Sequence, residues 1–230
     1  MVGGHSILDS GYGAGGERRD VDVDGTPVTV LDAGTHVVVH RHGLDTYTPA
    51  HRVLHAANVQ ALVGAGCDRV LAVSSVGGLR PELGVGTLLA PDDFIALDVV
   101  VSVHHDARSH VVPGFDAAWR ARVLDTAHRH GHEHVRDGGV YWQASGQRFE
   151  TRAEIRMIAQ FADVVGMTAA SECIVAQELG VPYAVVCVVD NLANGVAESP
   201  LTWEEFEAGK QATRAGVLAL LDAVVPVLAS

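Results

Sequence analysis

Four separated polar segments carry the residue types that bind a small oxyanion. They are Gly3–Ser6, Arg41–Gly43, Ser74–Gly78 and Met167–Thr168, and each stands where an apolar run ends. Backbone N–H groups at a glycine turn, small hydroxyl donors and a fixed cation all favour a bound phosphate. The pattern therefore predicts one oxyanion pocket built from segments that lie far apart in sequence.

Length and charge limit the classes of protein to which the chain can belong. At 230 residues with 48% hydrophobic content, the chain is long enough for one well-buried core, so we expect a single domain over residues 1–230. The formal net charge of -12, with 16 Lys and Arg that form no cluster, argues against a nucleic-acid surface. A phosphate site in such an acidic chain depends on a well-placed arginine.

Cysteine usage and hydropathy indicate a cytoplasmic protein without a membrane partner. Cys67, Cys173 and Cys187 are odd in number and lack C-x-x-C spacing, which is typical of buried thiols in a reducing compartment. The apolar run Val181–Val189 is too short to span a bilayer, and the N-terminus lacks the pattern of a signal peptide.

Strand and helix patterns alternate along the chain, which predicts an α/β sheet flanked by helices. The run Arg69–Ser74 is apolar throughout, as in a strand buried on both faces, whereas Tyr12–Arg19 and His104–Gly114 predict loops. Further strands are expected at Val28–Leu31, Val37–Val39, Gly86–Ala90, Phe94–Leu97, Gly139–Gln143, Asp163–Gly166 and Pro182–Val189, and helices at His51–Ala65, Asp116–His130, Thr151–Phe161, Ala169–Leu179 and Trp203–Leu228.

Several ordered motifs resemble those of the purine nucleoside phosphorylase superfamily, and most closely its trimeric branch containing 5′-methylthioadenosine phosphorylase. The resemblance is strongest at Arg41-His42-Gly43, at Val73–Gly86 (VSSVGGLRPELGVG) and at Gly146–Glu178. It implies a single-domain, three-layer phosphorylase/hydrolase-like fold with a central mixed β-sheet, and a homotrimer. The implied reaction is cleavage of a purine nucleoside by inorganic phosphate to a free base and a sugar 1-phosphate, with no cofactor or metal.

The resemblance assigns roles to the polar segments one position at a time. The turn at Gly3-Gly4 matches the first phosphate loop, where either of the next two residues can supply the donor. The matched phosphate-binding residues are His5, Ser6, Arg41, His42, Ser74, Ser75 and Thr168.

The same resemblance places the substrate. Met167 matches a residue against the ribose, Phe149 an aromatic near the purine, and His110 a segment that approaches the nucleoside 5′ end, often across a subunit boundary. Asp190 matches the acidic residue that faces purine N7 and the 6-position. As a buried acid it would protonate N7 and make the base a better leaving group, which is worth roughly 10²–10⁴-fold in rate.

An acid at Asp190 favours a 6-aminopurine, because 6-oxopurine members generally carry Asn there. The preferred substrate is therefore expected to be 5′-methylthioadenosine or a related adenosine, although the next residue, Asn191, is able to take the same role.

Three alternatives to this reaction remain open. A phosphorylase acting on 6-oxopurine nucleosides would share the mechanism. A nucleoside hydrolase of the same superfamily would use water, but such enzymes usually carry Met-Glu-Gly-Ala where this chain has Met167–Ala170. A non-catalytic nucleoside-binding protein is the third. The 13 His residues predict no metal site, because they lack ligand spacing on a stable helix.

Overall fold

Most of the sheet is organised around a nine-residue strand, Val70–Gly78 (β5). The structure is a computed structural model, which describes residues 1–198 and 201–230. This strand pairs in parallel with Tyr183–Leu192 (β11) over its whole length and with Val2–Gly3 (β1) on its other edge. Its last residues pair antiparallel with Val164–Gly166 (β10). The uninterrupted apolar run is buried on both faces, as predicted.

Within residues 1–198 and 201–230, eleven strands form one mixed sheet. An antiparallel ribbon of three strands joins β1 through its last member, and the remaining strands extend the sheet beside β10 and β11. These strands are Glu17–Val23 (β2), Thr26–Asp32 (β3), Val37–His40 (β4), Leu88–Ala90 (β6), Asp93–Ile95 (β7), Arg136–Asp137 (β8) and Val140–Gln143 (β9).

Helices cover both faces of this sheet. His55–Gly64 (α1) and Ala169–Glu178 (α4) pack on one hydrophobic core, and Ala117–Arg129 (α2) and Trp203–Leu228 (α5) pack on a second. The short helix Arg152–Ile158 (α3) joins a smaller cluster. A helix–sheet–helix arrangement is the predicted fold class, which is thus confirmed.

The largest error of the sequence-based prediction concerns the segment Tyr12–Arg19. Its last three residues do not form a loop but begin β2, which pairs with β3 around a turn at Asp24-Gly25. Most of β2 is solvent-exposed, so it lacks the apolar alternation by which a half-buried strand is identified. The predicted helix from His51 begins at His55 instead, after a 3₁₀ turn at Ala50–Arg52.

Helix α5 has the length and mean hydropathy, 1.4, that would suit a membrane span. Its apolar face instead packs in the core against α2 and β11, through residues such as Val217, Leu221 and Val224. The helix begins with a capping box at Thr202.

A glycine brings α5 into direct contact with β11. A Cβ atom built on Gly209 would lie 1.7 Å from the carbonyl oxygen of Asp190. Only glycine therefore permits this approach, which places the first turns of α5 beside the carboxyl end of β11.

The contact predicts opposite effects for two alanine substitutions in the same helix. We expect Gly216→Ala to raise the free energy of unfolding by about 0.5–1 kcal/mol, because its Cβ meets open space and alanine favours helix. Gly209→Ala should lower it by at least about 1–3 kcal/mol, because the new methyl group collides with backbone. Urea unfolding of both variants measures the difference, and equal stabilisation by the two would contradict the packing described here.

Candidate active site

The carboxyl ends of four parallel strands open into one cavity. Strands β1, β4, β5 and β11 run in the same direction, so the residues that follow or end them meet at one edge of the sheet. The cavity is lined by His5, Arg41, His42, Tyr47, Pro49, Ala50, Ser74, Ser75, Val76, Gly77, Gln147, Phe149, Glu150, Val165, Gly166, Met167, Thr168, Asn191, Ala193, Leu201, Trp203 and Phe206.

Most of the predicted site residues meet at this cavity. Those lining it are His5, Arg41, His42, Ser74, Ser75, Phe149, Met167 and Thr168. Three others do not line it: Ser6, His110 and Asp190. Ser6 is fully buried behind the cavity wall, where its hydroxyl lies 2.8 Å from that of Ser75.

Arg41 is held rigidly at the base of the cavity. Its Nε and one terminal nitrogen donate to the two carboxylate oxygens of Glu172 at 2.5 and 2.9 Å, and its other terminal nitrogen donates to the Val73 carbonyl at 2.8 Å. An arginine carries five N–H groups. Within the described part of the chain these bonds leave one N–H on each terminal nitrogen available to an anion.

Glu172 is a functional residue that the sequence analysis missed. It is fully buried and also accepts a 2.7 Å hydrogen bond from the Tyr183 hydroxyl. Burial alone would raise the pKa of this carboxyl. The Arg41 guanidinium, with a smaller contribution from His55, outweighs that effect and lowers the pKa to about 2. The sequence signal that could have identified Glu172 is its position four residues after Thr168, the residue that precedes α4.

The first glycine turn packs directly on this arginine. A Cβ atom on Gly4 would lie 2.5 Å from an Arg41 terminal nitrogen and 2.5 Å from the Val73 carbonyl oxygen. A side chain at this position would collide with the guanidinium and with the β5 backbone, so the turn requires glycine.

Both histidines at this end of the cavity are neutral at neutral pH. Burial, together with the neighbouring His42, lowers the pKa of His5 to about 3, and burial with the Arg41 charge lowers that of His42 to about 4. The His42 Nδ1 donates to the Thr48 carbonyl at 2.8 Å. Among the described residues that line the cavity, Arg41 is therefore the positively charged side chain.

Thr168 has a hydroxyl that its helix does not use. The residue precedes α4, yet its side chain makes no capping hydrogen bond. Its backbone N–H and that of Ala169 point instead at the buried Tyr141 hydroxyl, at 3.1 and 3.3 Å. The threonine side chain is thus left to face the cavity beside the positive end of the helix.

A β-bulge decides which side chain of β11 faces the cavity. Val189 pairs with Val76 and Asn191 with Gly77, so Asp190 is the extra residue on its strand. A bulge redirects neighbouring side chains. Asn191 lines the cavity, whereas the Asp190 carboxyl faces α5 and accepts a 2.5 Å hydrogen bond from the Thr213 hydroxyl. The predicted base-contacting residue Asp190 therefore does not line the cavity, whereas its neighbour Asn191 does.

Further lining residues were not anticipated from sequence. Glu150, directly after Phe149, lines the cavity and is half-buried, and burial raises the pKa of its carboxyl. Tyr47, Trp203 and Phe206 form an aromatic wall around His5, with ring centroids 5.2, 6.4 and 5.5 Å from it. His110 is solvent-exposed and lies outside the cavity of its own chain.

Comparison with known proteins places this chain in one family. The model of the phosphorylase superfamily matches residues 16–226. A probable 6-oxopurine nucleoside phosphorylase of Archaeoglobus fulgidus is 42% identical over 178 residues, covering 77% of this chain and 73% of the relative. A probable S-methyl-5′-thioinosine phosphorylase of Methanosarcina acetivorans is 36% identical, covering 77% and 69%.

Among solved structures, methylthioadenosine phosphorylase from Schistosoma mansoni superposes with a TM-score of 0.83 at 22% identity, covering 100% of this chain and 91% of that one. The chain belongs to the phosphorylase superfamily. It is an enzyme of the purine nucleoside phosphorylase type, a pentosyltransferase. Members need no cofactor and use phosphate as co-substrate. The described residues hold no group of three or more potential metal ligands.

The buried ion pair predicts a specific dependence of stability on pH. The pKa of Glu172 is about 2, below its ordinary 4.5, so its carboxylate stabilises the folded chain above about pH 4.5. This contribution is lost as the pH falls towards 2. Glu172→Gln leaves Arg41 charged and unpaired, which should lower the free energy of unfolding at pH 7 by about 3–5 kcal/mol.

Urea unfolding between pH 7 and pH 3 provides the measurement, with the exposed Glu133→Gln as a matched control. The difference between wild type and Glu172→Gln should shrink as the pH falls, whereas Glu133→Gln should follow wild type throughout. A constant difference at every pH would contradict the assignment of the low pKa to Glu172.

Proposed function

We propose that this enzyme cleaves the N-glycosidic bond of a 6-oxopurine nucleoside with inorganic phosphate, releasing the free base and a ribose 1-phosphate. The observation that carries the proposal is the pair of polar side chains lining the cavity beside Phe149, namely Asn191 and Glu150. This choice of base replaces the 6-aminopurine expected from Asp190, whose carboxyl is turned towards α5.

The amide of Asn191 fits the edge of a 6-oxopurine. Its nitrogen already donates to the Leu192 carbonyl at 2.9 Å, which holds the amide in one orientation with one N–H and the carbonyl oxygen still available. A departing 6-oxopurine presents an acceptor at O6 and, once protonated, a donor at N7. One amide satisfies both groups.

The carboxylate of Glu150 supports the same base. A 6-oxopurine carries a hydrogen on N1, which a carboxylate accepts, whereas N1 of a 6-aminopurine is itself an acceptor and would be repelled. The substrates in the names of the curated relatives agree with this choice.

At the other end of the cavity the donors suit phosphate. Arg41 supplies two N–H groups, and the hydroxyls of Ser74, Ser75 and Thr168 lie around the same opening. We assign these residues to phosphate, with His5 and His42 as neutral neighbours and Met167 against the ribose. Ser6 contributes through its contact with Ser75.

The proposed reaction balances without a cofactor. A phosphate oxygen bonds to C1′ as the C1′–N9 electron pair leaves with the base, and the proton of hydrogen phosphate ends on that base. Phosphate beneath C1′ stabilises the positive charge that develops on the sugar, and fixed dipoles at the purine stabilise the negative charge. The chain's contribution is therefore positioning and electrostatics.

The aromatic wall supports the proposal that the enzyme also accepts nucleosides with an apolar 5′ substituent. Tyr47 and Trp203 are each about half exposed at the mouth of the cavity, and Phe206 is buried behind them. Such a wall would accommodate a methylthio group through dispersion contacts. The proposed substrates are thus inosine-like nucleosides with either a 5′-hydroxyl or a 5′-methylthio group.

We also propose that the protein works as a cytoplasmic homotrimer. Leu97, Val100 and Val112 are 76%, 100% and 93% exposed and belong to one segment, residues 97–112, that also carries His110. A second copy covering this segment would bury these side chains and bring His110 towards a neighbouring cavity. The three cysteines are free thiols, in agreement with a reducing compartment.

The first experiment measures base release from inosine, 5′-methylthioinosine, adenosine and 5′-methylthioadenosine, each with and without inorganic phosphate. We expect phosphate-dependent release of hypoxanthine from the first two, and at least tenfold lower kcat/KM for the adenosines. Release without phosphate would indicate a hydrolase, preferential release of adenine would restore the 6-aminopurine assignment, and no release would favour a non-catalytic protein.

Replacing the Asn191 amide with a carboxylate should change which purine base the enzyme prefers. Asn191→Asp presents two acceptors to O6 and N7 of a 6-oxopurine but can accept from a 6-amino group. The ratio of kcat/KM for inosine to that for adenosine should therefore fall on the order of 100-fold. Steady-state kinetics with both nucleosides at saturating phosphate measures the ratio, and an unchanged ratio would show that Asn191 does not contact the base.

A further inference from the structure

The first turn of α4 is capped by side chains of a neighbouring strand. Thr168 stands just before the helix, where a threonine hydroxyl ordinarily accepts a hydrogen bond from the second or third helical N–H. The third helical residue is Ser171, and its N–H donates instead to Oε1 of Gln143 at 3.0 Å. The Gln143 amide nitrogen in turn donates to the Ser171 hydroxyl, so one amide holds both polar groups of that residue.

A second residue of the same strand completes this cap. The Tyr141 hydroxyl accepts hydrogen bonds from the N–H groups of Thr168 and Ala169, at 3.1 and 3.3 Å. Tyr141 and Gln143 stand two apart on β9, so both side chains point to the same face of the sheet. Tyr141 shares the hydrophobic core of that face with α4. The helix start is therefore held by residues 27 or 28 positions away in sequence.

Both capping side chains are buried, Tyr141 at 0% and Gln143 at 6% exposure. A buried amide is costly unless its donor and its acceptor both find partners, and here Ser171 supplies the two partners. Neither capping residue is among the described residues that line the cavity. Their polar groups are thus matched to the start of α4 and not to a ligand.

The consequence of this cap falls on the Thr168 side chain. The Thr168 backbone has φ −141° and ψ −38°, away from the extended conformation of an ordinary capping residue. Its hydroxyl makes no capping hydrogen bond within the described part of the chain, and the residue lines the cavity. The Thr168 hydroxyl is therefore available to an anion in the cavity.

We propose that Gln143 and Tyr141 are positioning residues for phosphate: by capping α4 in place of Thr168, they hold the Thr168 hydroxyl as a phosphate donor. Without them the hydroxyl would turn to the Ser171 N–H as an ordinary cap, and its geometry for donation to the anion would be lost. This inference rests on the phosphate site of the proposed function. It adds to that site two residues that do not touch the anion.

Isothermal titration of inorganic phosphate into the free enzyme tests the proposal. Gln143→Met keeps the length of the side chain but removes its donor and acceptor, which leaves the Ser171 N–H to Thr168. Phosphate affinity should fall about tenfold, as expected for one lost hydrogen bond to a charged group. The KM for the nucleoside and kcat at saturating phosphate should change by less than about threefold. Gln177→Met, at an exposed position of α4, should match wild type.

A double variant shows whether Gln143 acts through Thr168. Because α4 also carries Glu172, a loosened helix would weaken phosphate binding through the Arg41 ion pair instead. In the Thr168→Ala background, Gln143→Met should change phosphate affinity by less than about twofold, because the hydroxyl through which it acts is gone. Additive losses would overturn the proposal.

The outcomes separate this inference from the proposed function. Failure of the wild type to bind phosphate would defeat the proposed function, whereas a loss of affinity in Thr168→Ala with none in Gln143→Met would defeat only the positioning role. Circular dichroism and thermal unfolding establish that each variant is folded. If Gln143→Met does not fold, Tyr141→Phe decides, because it releases the Thr168 backbone and an unchanged phosphate affinity in that variant overturns the proposal.

Discussion

The buried ion pair between Arg41 and Glu172 is the interaction on which the site depends. A guanidinium removed from water is strongly unfavourable unless a carboxylate and further hydrogen bonds compensate it. Here β4 supplies the arginine, α4 the carboxylate, and β5 a backbone carbonyl. Because three elements must be in place before this charge is satisfied, the guanidinium end of the cavity is preorganised before a ligand arrives.

This constraint extends to the chain around it. Gly4 must lack a side chain because the turn after β1 occupies the space beside the guanidinium, and the nearby charge keeps His42 neutral. At the carboxyl end of β11 a second close approach, between Gly209 and the Asp190 carbonyl, places the first turns of α5 beside the cavity. The phosphate end and the aromatic wall are therefore held by contacts that tolerate only glycine at two positions.

Much of the fold could be predicted from sequence. The buried strands β5 and β11 are continuous apolar runs, and the α/β class follows from the alternation of strand and helix patterns along the chain. The exposed strand β2 could not be predicted, because its pairing is backbone hydrogen bonding under polar side chains. Most of the proposed phosphate residues could be predicted because each stands where an apolar run of the sequence ends, whereas Glu172 lies on a helix and was missed.

The sequence by itself determined the family, the strand and helix order and the residue types available to an anion, since these are carried by local pattern and motif. Only the tertiary structure decided which of two adjacent residues faces the cavity. Asp190 and Asn191 are equally placed in sequence, but one extra residue opposite β5 turns the carboxyl to α5 and the amide to the cavity. A bulge depends on the register between two strands more than a hundred residues apart in sequence, and no local pattern records that register.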